Sequence, residues 1–139
     1  MKSLLVLIAL FLLLPAAPAA PRLAAQQKSV KAAKSAELIV YYFHTSRRCK
    51  TCLSIERVAR NVFKEKYGKD KTVVFRALNI EEEKNEALAE KYEVAGSSLL
   101  VCKGGKTEDL TAEAFQYGLN DPGKLQELLI TTIDRLRKG

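Results

Sequence analysis

The chain has 139 residues and a formal net charge of +7, enough length for one hydrophobic core. Its basic clusters, Arg47-Arg48-Cys49-Lys50 and residues 135–138, carry no interleaved aromatic residues and no known motif, which argues against a nucleic-acid partner. Three cysteines are an odd number and too few for a disulfide scaffold, so the simplest accounting is one pair plus a leftover, Cys102.

Lys2 begins a short positive segment, and residues 4–14 form an apolar run of secretory-signal length. Pro15 breaks the run, and Ala17-Pro18-Ala19 fits an A-x-A cleavage rule, which makes residues 1–19 a signal peptide. A membrane span needs ~20 apolar residues, whereas Pro15, Pro18 and Pro21 interrupt this one. An uncleaved tether is the alternative. The expected location is periplasmic or secreted, where disulfides persist. Residues 20–36, rich in Ala, Gln, Lys and Ser, form a linker or an N-terminal helix over 27–35.

Residues 37–43 are apolar, with β-branched and aromatic side chains, and predict a buried strand. Residues 49–67 predict a helix whose apolar positions Cys52, Ile55, Ala59, Val62 and Phe63 share one face, with Gly68 stopping it. A second strand spans 72–78. A helix over 82–92 turns Ala87, Leu88 and Tyr92 inward, and its acidic start suits a helix N-terminus. Strands over 97–102 and 106–110 flank a hairpin turn at Gly104-Gly105. Thr111 caps a short helical turn through Phe115. Asp121, followed by Pro122, opens a last helix with Leu125, Leu128, Leu129, Thr132, Ile133 and Leu136 on one face. The order β-α-β-α-β-β-α predicts an α/β domain over 37–139: a four-stranded mixed sheet with helices on both faces.

Cys49-Lys50-Thr51-Cys52 falls where the first helix begins. Unpaired N–H groups and the helix dipole favour a thiolate there, and Arg47, Arg48 and Lys50 add positive charge. Cys49 lies toward solvent and Cys52 on the apolar face with Ile55, so the two can serve as a redox pair. Two other readings stay open. The pair could form a structural disulfide in a binding module, although so short a loop stabilises little. It could also hold a metal with His44 and Cys102, since these supply suitable ligand types. Cys102 then lies five residues along its strand, roughly 17 Å away, and is better explained as a small buried hydrophobe. Tyr41, Tyr42 and Phe43 read as core contacts rather than a ligand surface. The acidic run 81–83 with Glu86 and Glu90 reads as a solvated helix face.

Over about residues 37–138 this order of elements, with Cys-x-x-Cys directly after the first core strand, resembles the thioredoxin superfamily. The segment Tyr41-Tyr42-Phe43-His44-Thr45-Ser46-Arg47-Arg48-Cys49-Lys50-Thr51-Cys52 looks like an exported bacterial branch of it. The resemblance implies a thiol-disulfide oxidoreductase acting on protein thiols or disulfides. Cys49 would be the nucleophile and Cys52 the resolving thiol, with a membrane electron donor or an oxidase recharging the pair. We expect a monomer, no cofactor and no bound metal.

Three departures from the family pattern matter. No Trp precedes the motif, and Lys50-Thr51 replaces Gly-Pro. The family's buried acid on the first strand, counted back from Cys49, falls on Phe43, with His44 beside it as either a proton carrier near neutral pH or a structural residue. The family's cis-proline is replaced by Ser97, where a trans bond is expected because a cis bond without proline costs ~2.5–4 kcal/mol. Loss of that proline weakens the inference of a substrate-strand surface and strengthens the metal reading. The positive charge around Cys49 predicts a pair more oxidising than thioredoxin.

Overall fold

Alternation along the first strand determines both layers of the fold. In the computed structural model, which describes residues 38–139, β1 (Leu38–His44) points Leu38, Val40 and Tyr42 to one side and Tyr41 and Phe43 to the other. Both sides are buried, which is why the strand reads as a continuous apolar run. The expected signal peptide, the linker and Glu37 lie outside the described residues.

β1 is followed by α1 (Lys50–Val62), β2 (Val73–Asn79), α2 (Glu83–Lys91), β3 (Ser98–Lys103), β4 (Lys106–Asp109), α3 (Thr111–Tyr117) and α4 (Pro122–Lys138). The sheet order is β2-β1-β3-β4. β1 and β2 run parallel, while β3 is antiparallel to both β1 and β4. Leu38, Val40 and Tyr42 pack with Leu99 and Val101 of β3, with Ile55, Val58, Ala59 and Val62 of α1, and with Leu125, Leu129 and Ile133 of α4. On the opposite face Tyr41, Phe43, Leu100 and Cys102 pack with Leu88, Tyr92 and Val94. Thus α1, α3 and α4 cover one face and α2 the other, as the element order predicts.

Element ends move by about one residue from the sequence expectation, and several details change for physical reasons. The first helix stays α-helical only to Val62, and its last turn widens into a π-turn over Phe63–Tyr67. Gly68 keeps a right-handed φ of −59°, so it is no left-handed cap. Its missing side chain matters because a Cβ would lie 2.8 Å from the Lys64 carbonyl oxygen. Ser54 and Val58 join the buried face of α1; the Ser54 hydroxyl is accommodated by donating to the Gly118 carbonyl at 2.6 Å. In α2, Ala87 is exposed, and Asn85 and Ala89 take the inward places. The Asn85 amide donates to the Asn79 carbonyl at 2.8 Å and so fixes the rotation of the helix.

Thr111 is the first residue of α3 rather than its cap. Its hydroxyl instead accepts the Leu99 N–H at 3.0 Å, and the Asp109 carboxylate accepts the Thr111 N–H at 2.8 Å. α3 continues to Tyr117, past the expected end at Phe115. Asp121 caps α4 by accepting the Lys124 N–H at 3.0 Å, with Pro122 in the first turn, while Leu128 is only half-buried. Gly104 and Gly105 adopt φ of 54° and 85°, the left-handed pair that a two-residue hairpin needs.

Candidate active site

Cys49 is the N-cap of α1. Its backbone is extended, and its sulfur accepts the Cys52 N–H at 3.2 Å, the bond a Ser or Asp oxygen makes at other helix starts. The two sulfurs are 2.7 Å apart and both thiols are free. Cys49 is exposed and Cys52 only 7% exposed. One sulfur therefore meets solvent while its neighbour waits behind it. At Cys52 burial works to raise the thiol, but hydrogen bonds shared with Cys49, then with Ser97 and Tyr42, outweigh it and bring it below the ordinary thiol value.

Beneath the pair lies Tyr42, not Phe43. The fully buried Tyr42 donates its hydroxyl to the Cys52 carbonyl at 2.9 Å. Phe43 faces the other core, stacked on Tyr41 at 5.5 Å between ring centres. Tyr42 shares the α1 face of the sheet with Leu38 and Val40, and the two-residue period of the strand was the signal that pointed to it. Burial first, then the charge of Cys52, push its phenol up to about 12 against the pull of Arg48 and Ser97. Tyr42 therefore stays protonated near neutral pH and acts as a hydrogen-bond donor, not a base.

Ser97 stands just before β3, its hydroxyl oxygen 3.8 Å from the Cys52 sulfur. All peptide bonds among the described residues are trans. Arg48 turns inward: its guanidinium lies 5.8 Å from the Tyr42 ring centre and pairs with Glu56. Glu56 also takes Arg60 at 2.6 Å. Burial works to raise the Glu56 carboxyl, but the two arginines hold it below the usual carboxylate range. Glu56 was not anticipated from the sequence. Its spacing to Arg60 is a helical i,i+4 pair, whereas its pairing with Arg48 depends on how the preceding loop curls.

The remaining residues divide clearly. Lys50 is exposed beside Cys49. His44 ends β1, with Nδ1 3.0 Å from the Thr45 carbonyl oxygen and its ring 6.0 Å from that of Tyr42. The loop between β1 and α1 is tied to the end of β2: the Ser46 N–H donates to Glu81 at 3.0 Å, and the Asn79 amide donates to the Ser46 hydroxyl at 2.9 Å. Cys102 is buried on the opposite face of the sheet, its sulfur 3.7 Å from the Thr107 hydroxyl. Among the described residues no three His, Cys, Asp or Glu side chains are placed to hold a metal.

A Tyr42→Phe variant isolates the hydroxyl. The Cys52 carbonyl keeps its helical partner four residues on, so the loss should be about 1 kcal/mol, measured by urea unfolding. The pH dependence carries the sign. A phenol raised in the folded state contributes its stability fully below the unfolded value of 10, and loses it as pH rises toward 12. In that window Tyr42→Phe should remove about 1.4 kcal/mol per pH unit from the slope of wild-type alkaline destabilisation.

No protein-family model and no curated protein matches the chain. Solved structures do. Trxlp from Edwardsiella tarda EIB202 aligns over 73% of this chain and 89% of its own, with 17% identity and a TM-score of 0.52. Oxidised thioredoxin O2 from Arabidopsis thaliana aligns over 74% and 84%, with 18% identity and a TM-score of 0.51. A mutant thioredoxin from Halobacterium salinarum NRC-1 aligns over 74% and 80%, with 21% identity and a TM-score of 0.50. At these identities the likeness concerns the fold, and together with the sheet order and the helices around it the conclusion is that the chain has a thioredoxin-like fold.

Proposed function

We propose that the chain is an exported thiol-disulfide oxidoreductase. The observation that carries this is the asymmetric pair at the start of α1: two free thiols 2.7 Å apart, one exposed with an N–H on its sulfur, the other buried behind it. The Cys49 thiolate attacks one sulfur of a partner disulfide, forming a mixed disulfide and releasing the partner's other sulfur as a thiolate. The Cys52 thiolate then attacks the Cys49 sulfur, closes the Cys49–Cys52 bond and releases the partner's second thiolate. Two electrons pass from the pair to the partner, and protons from solvent neutralise the released thiolates. Run backward, the same steps oxidise a dithiol. The Tyr42 and Ser97 hydroxyls lie beside Cys52, where they support its anionic form.

The protein would act as a monomer without a cofactor, on disulfides or thiols of other exported proteins. A membrane electron donor or an oxidase would return the pair to its working state. A structural disulfide fits less well, because closing a loop this short removes little entropy from the unfolded chain.

Equilibration with glutathione buffers tests the reading. The hydrogen bonds that lower the Cys52 thiol stabilise the dithiol, so the reduction potential should lie above the value of about −270 mV typical of thioredoxin. A potential far below that, with no exchange against a model dithiol, would indicate a structural disulfide instead.

A further inference from the structure

We infer that the exposed face of α1 beside Cys49 docks an acidic segment of the disulfide-bearing partner, with one apolar side chain of that segment seated at Leu53. This rests on the thiol-exchange reading and names its substrate class. Residues 47–61 contain five cations and a single carboxylate, Glu56. Arg48 and Arg60 both spend their charge on Glu56. Among the described residues, Arg47, Lys50 and Arg57 have no carboxylate within ion-pair distance. Arg57 instead donates to the Ser54 hydroxyl at 3.0 Å. The first turn of α1 holds no acid, although a helix N-terminus favours one, so negative charge brought by a partner meets both the dipole and the side chains.

Lys50, Leu53 and Arg57 recur at i, i+3 and i+7, so they form one exposed stripe leading away from Cys49. Leu53 is 52% exposed, and a shallow groove of about 290 Å³ runs past it along Arg57 and Asn61. The Ser54–Gly118 hydrogen bond brings the turn after α3 against this helix, and the next residue of that turn, Leu119, is 48% exposed. Exposed leucines thus occur on both chain segments joined by that bond, with cations around them. The chain's longest acidic run lies elsewhere. Glu82, Glu83, Glu86 and Glu90 belong to α2 and its start, on the opposite face of the sheet, and Glu81 is engaged by the Ser46 N–H. A face with unspent cations and apolar anchors, whose own acid Glu56 is engaged by two arginines, complements an acidic, amphipathic peptide.

Three disulfide-bonded peptides of equal length test this, with acidic, neutral or basic residues flanking the cystine. The rate at which the reduced full-length protein reduces each is measured at low and high salt. The acidic peptide should react roughly tenfold or more faster than the basic one at low salt, and the difference should shrink as salt screens the field. Arg57→Glu should cut the acidic-peptide rate about fivefold, and Leu53→Ala should raise its KM. Neither should change the rate with a small neutral disulfide. Equal rates for all three peptides, or a preference that survives Arg57→Glu, would overturn the docking face while exchange with the neutral disulfide kept the oxidoreductase reading intact. Binding of the same face to anionic lipid vesicles, without a peptide preference, would also overturn it. Failure to reduce even the small disulfide would overturn the exchange reading and the docking face together.

Discussion

A Cys52→Ser variant should hold its partner covalently on Cys49. The first exchange needs only the Cys49 thiolate, which lies exposed with the Cys52 N–H on its sulfur, and the substitution keeps that backbone group. The second exchange needs a sulfur nucleophile 2.7 Å away, and a serine hydroxyl at neutral pH is not ionised to replace it. Partners should then appear as adducts that dithiothreitol releases, visible on non-reducing gels and identifiable by mass spectrometry. Cys49→Ser should give no adduct and reduce disulfides no faster than background, because the buried Cys52 cannot present itself to a protein-sized substrate. The double outcome separates the roles. Adducts from Cys49→Ser but not from Cys52→Ser would reverse them. Absence of adducts from Cys52→Ser, with Cys49 readily alkylated, would remove the protein-disulfide function altogether.

What was legible in the sequence was mostly local. The Cys-x-x-Cys position at a helix start follows from the helical period after Cys49, and the hairpin follows from Gly104-Gly105. The burial of both sides of β1 followed from its unbroken apolar run. The misplacement of the residue under the pair has a clear cause. Counting back from Cys49 fixes the length of the intervening loop by assumption, and the hydrogen bonds of Thr45, Ser46 and Asn79 fix it in fact. Counting forward from Leu38 in steps of two needs no such assumption and reaches Tyr42. Arg48 was legible as charge beside Cys49 but not as a group turned inward, because its partner Glu56 is brought to it by the curl of that loop. Ser54 was illegible for a different reason: a hydroxyl on an apolar helix face is explained only by a carbonyl 64 positions away.

That contact leads to the largest stability effect expected away from the cysteines. Gly118→Ala should destabilise the fold by roughly 1–3 kcal/mol, read as a lowered urea midpoint with unchanged slope. Backbone strain is not the cause, since Gly118 has an ordinary φ of −54°. The obstacle is space: a Cβ there would lie 2.5 Å from the Ala114 carbonyl oxygen and 2.5 Å from Ile55 Cγ1. Neither neighbour yields easily. The carbonyl is held by the Gly118 N–H at 2.7 Å, and Ile55 is fully buried in the core beneath α1. Gly123, in the first turn of α4, is the control. Its Cβ would meet only an Asp121 oxygen at 3.7 Å, so Gly123→Ala should be neutral or stabilise by up to ~1 kcal/mol. If Gly118→Ala proved as mild as Gly123→Ala, the close approach of the α3–α4 turn to α1 would be wrong. Since the Gly118 carbonyl also receives the Ser54 hydroxyl, a turn pushed outward tugs on the helix two residues after Cys52. Disulfide exchange by Gly118→Ala should then slow even at temperatures where the protein is fully folded. A purely global destabilisation would leave that rate unchanged.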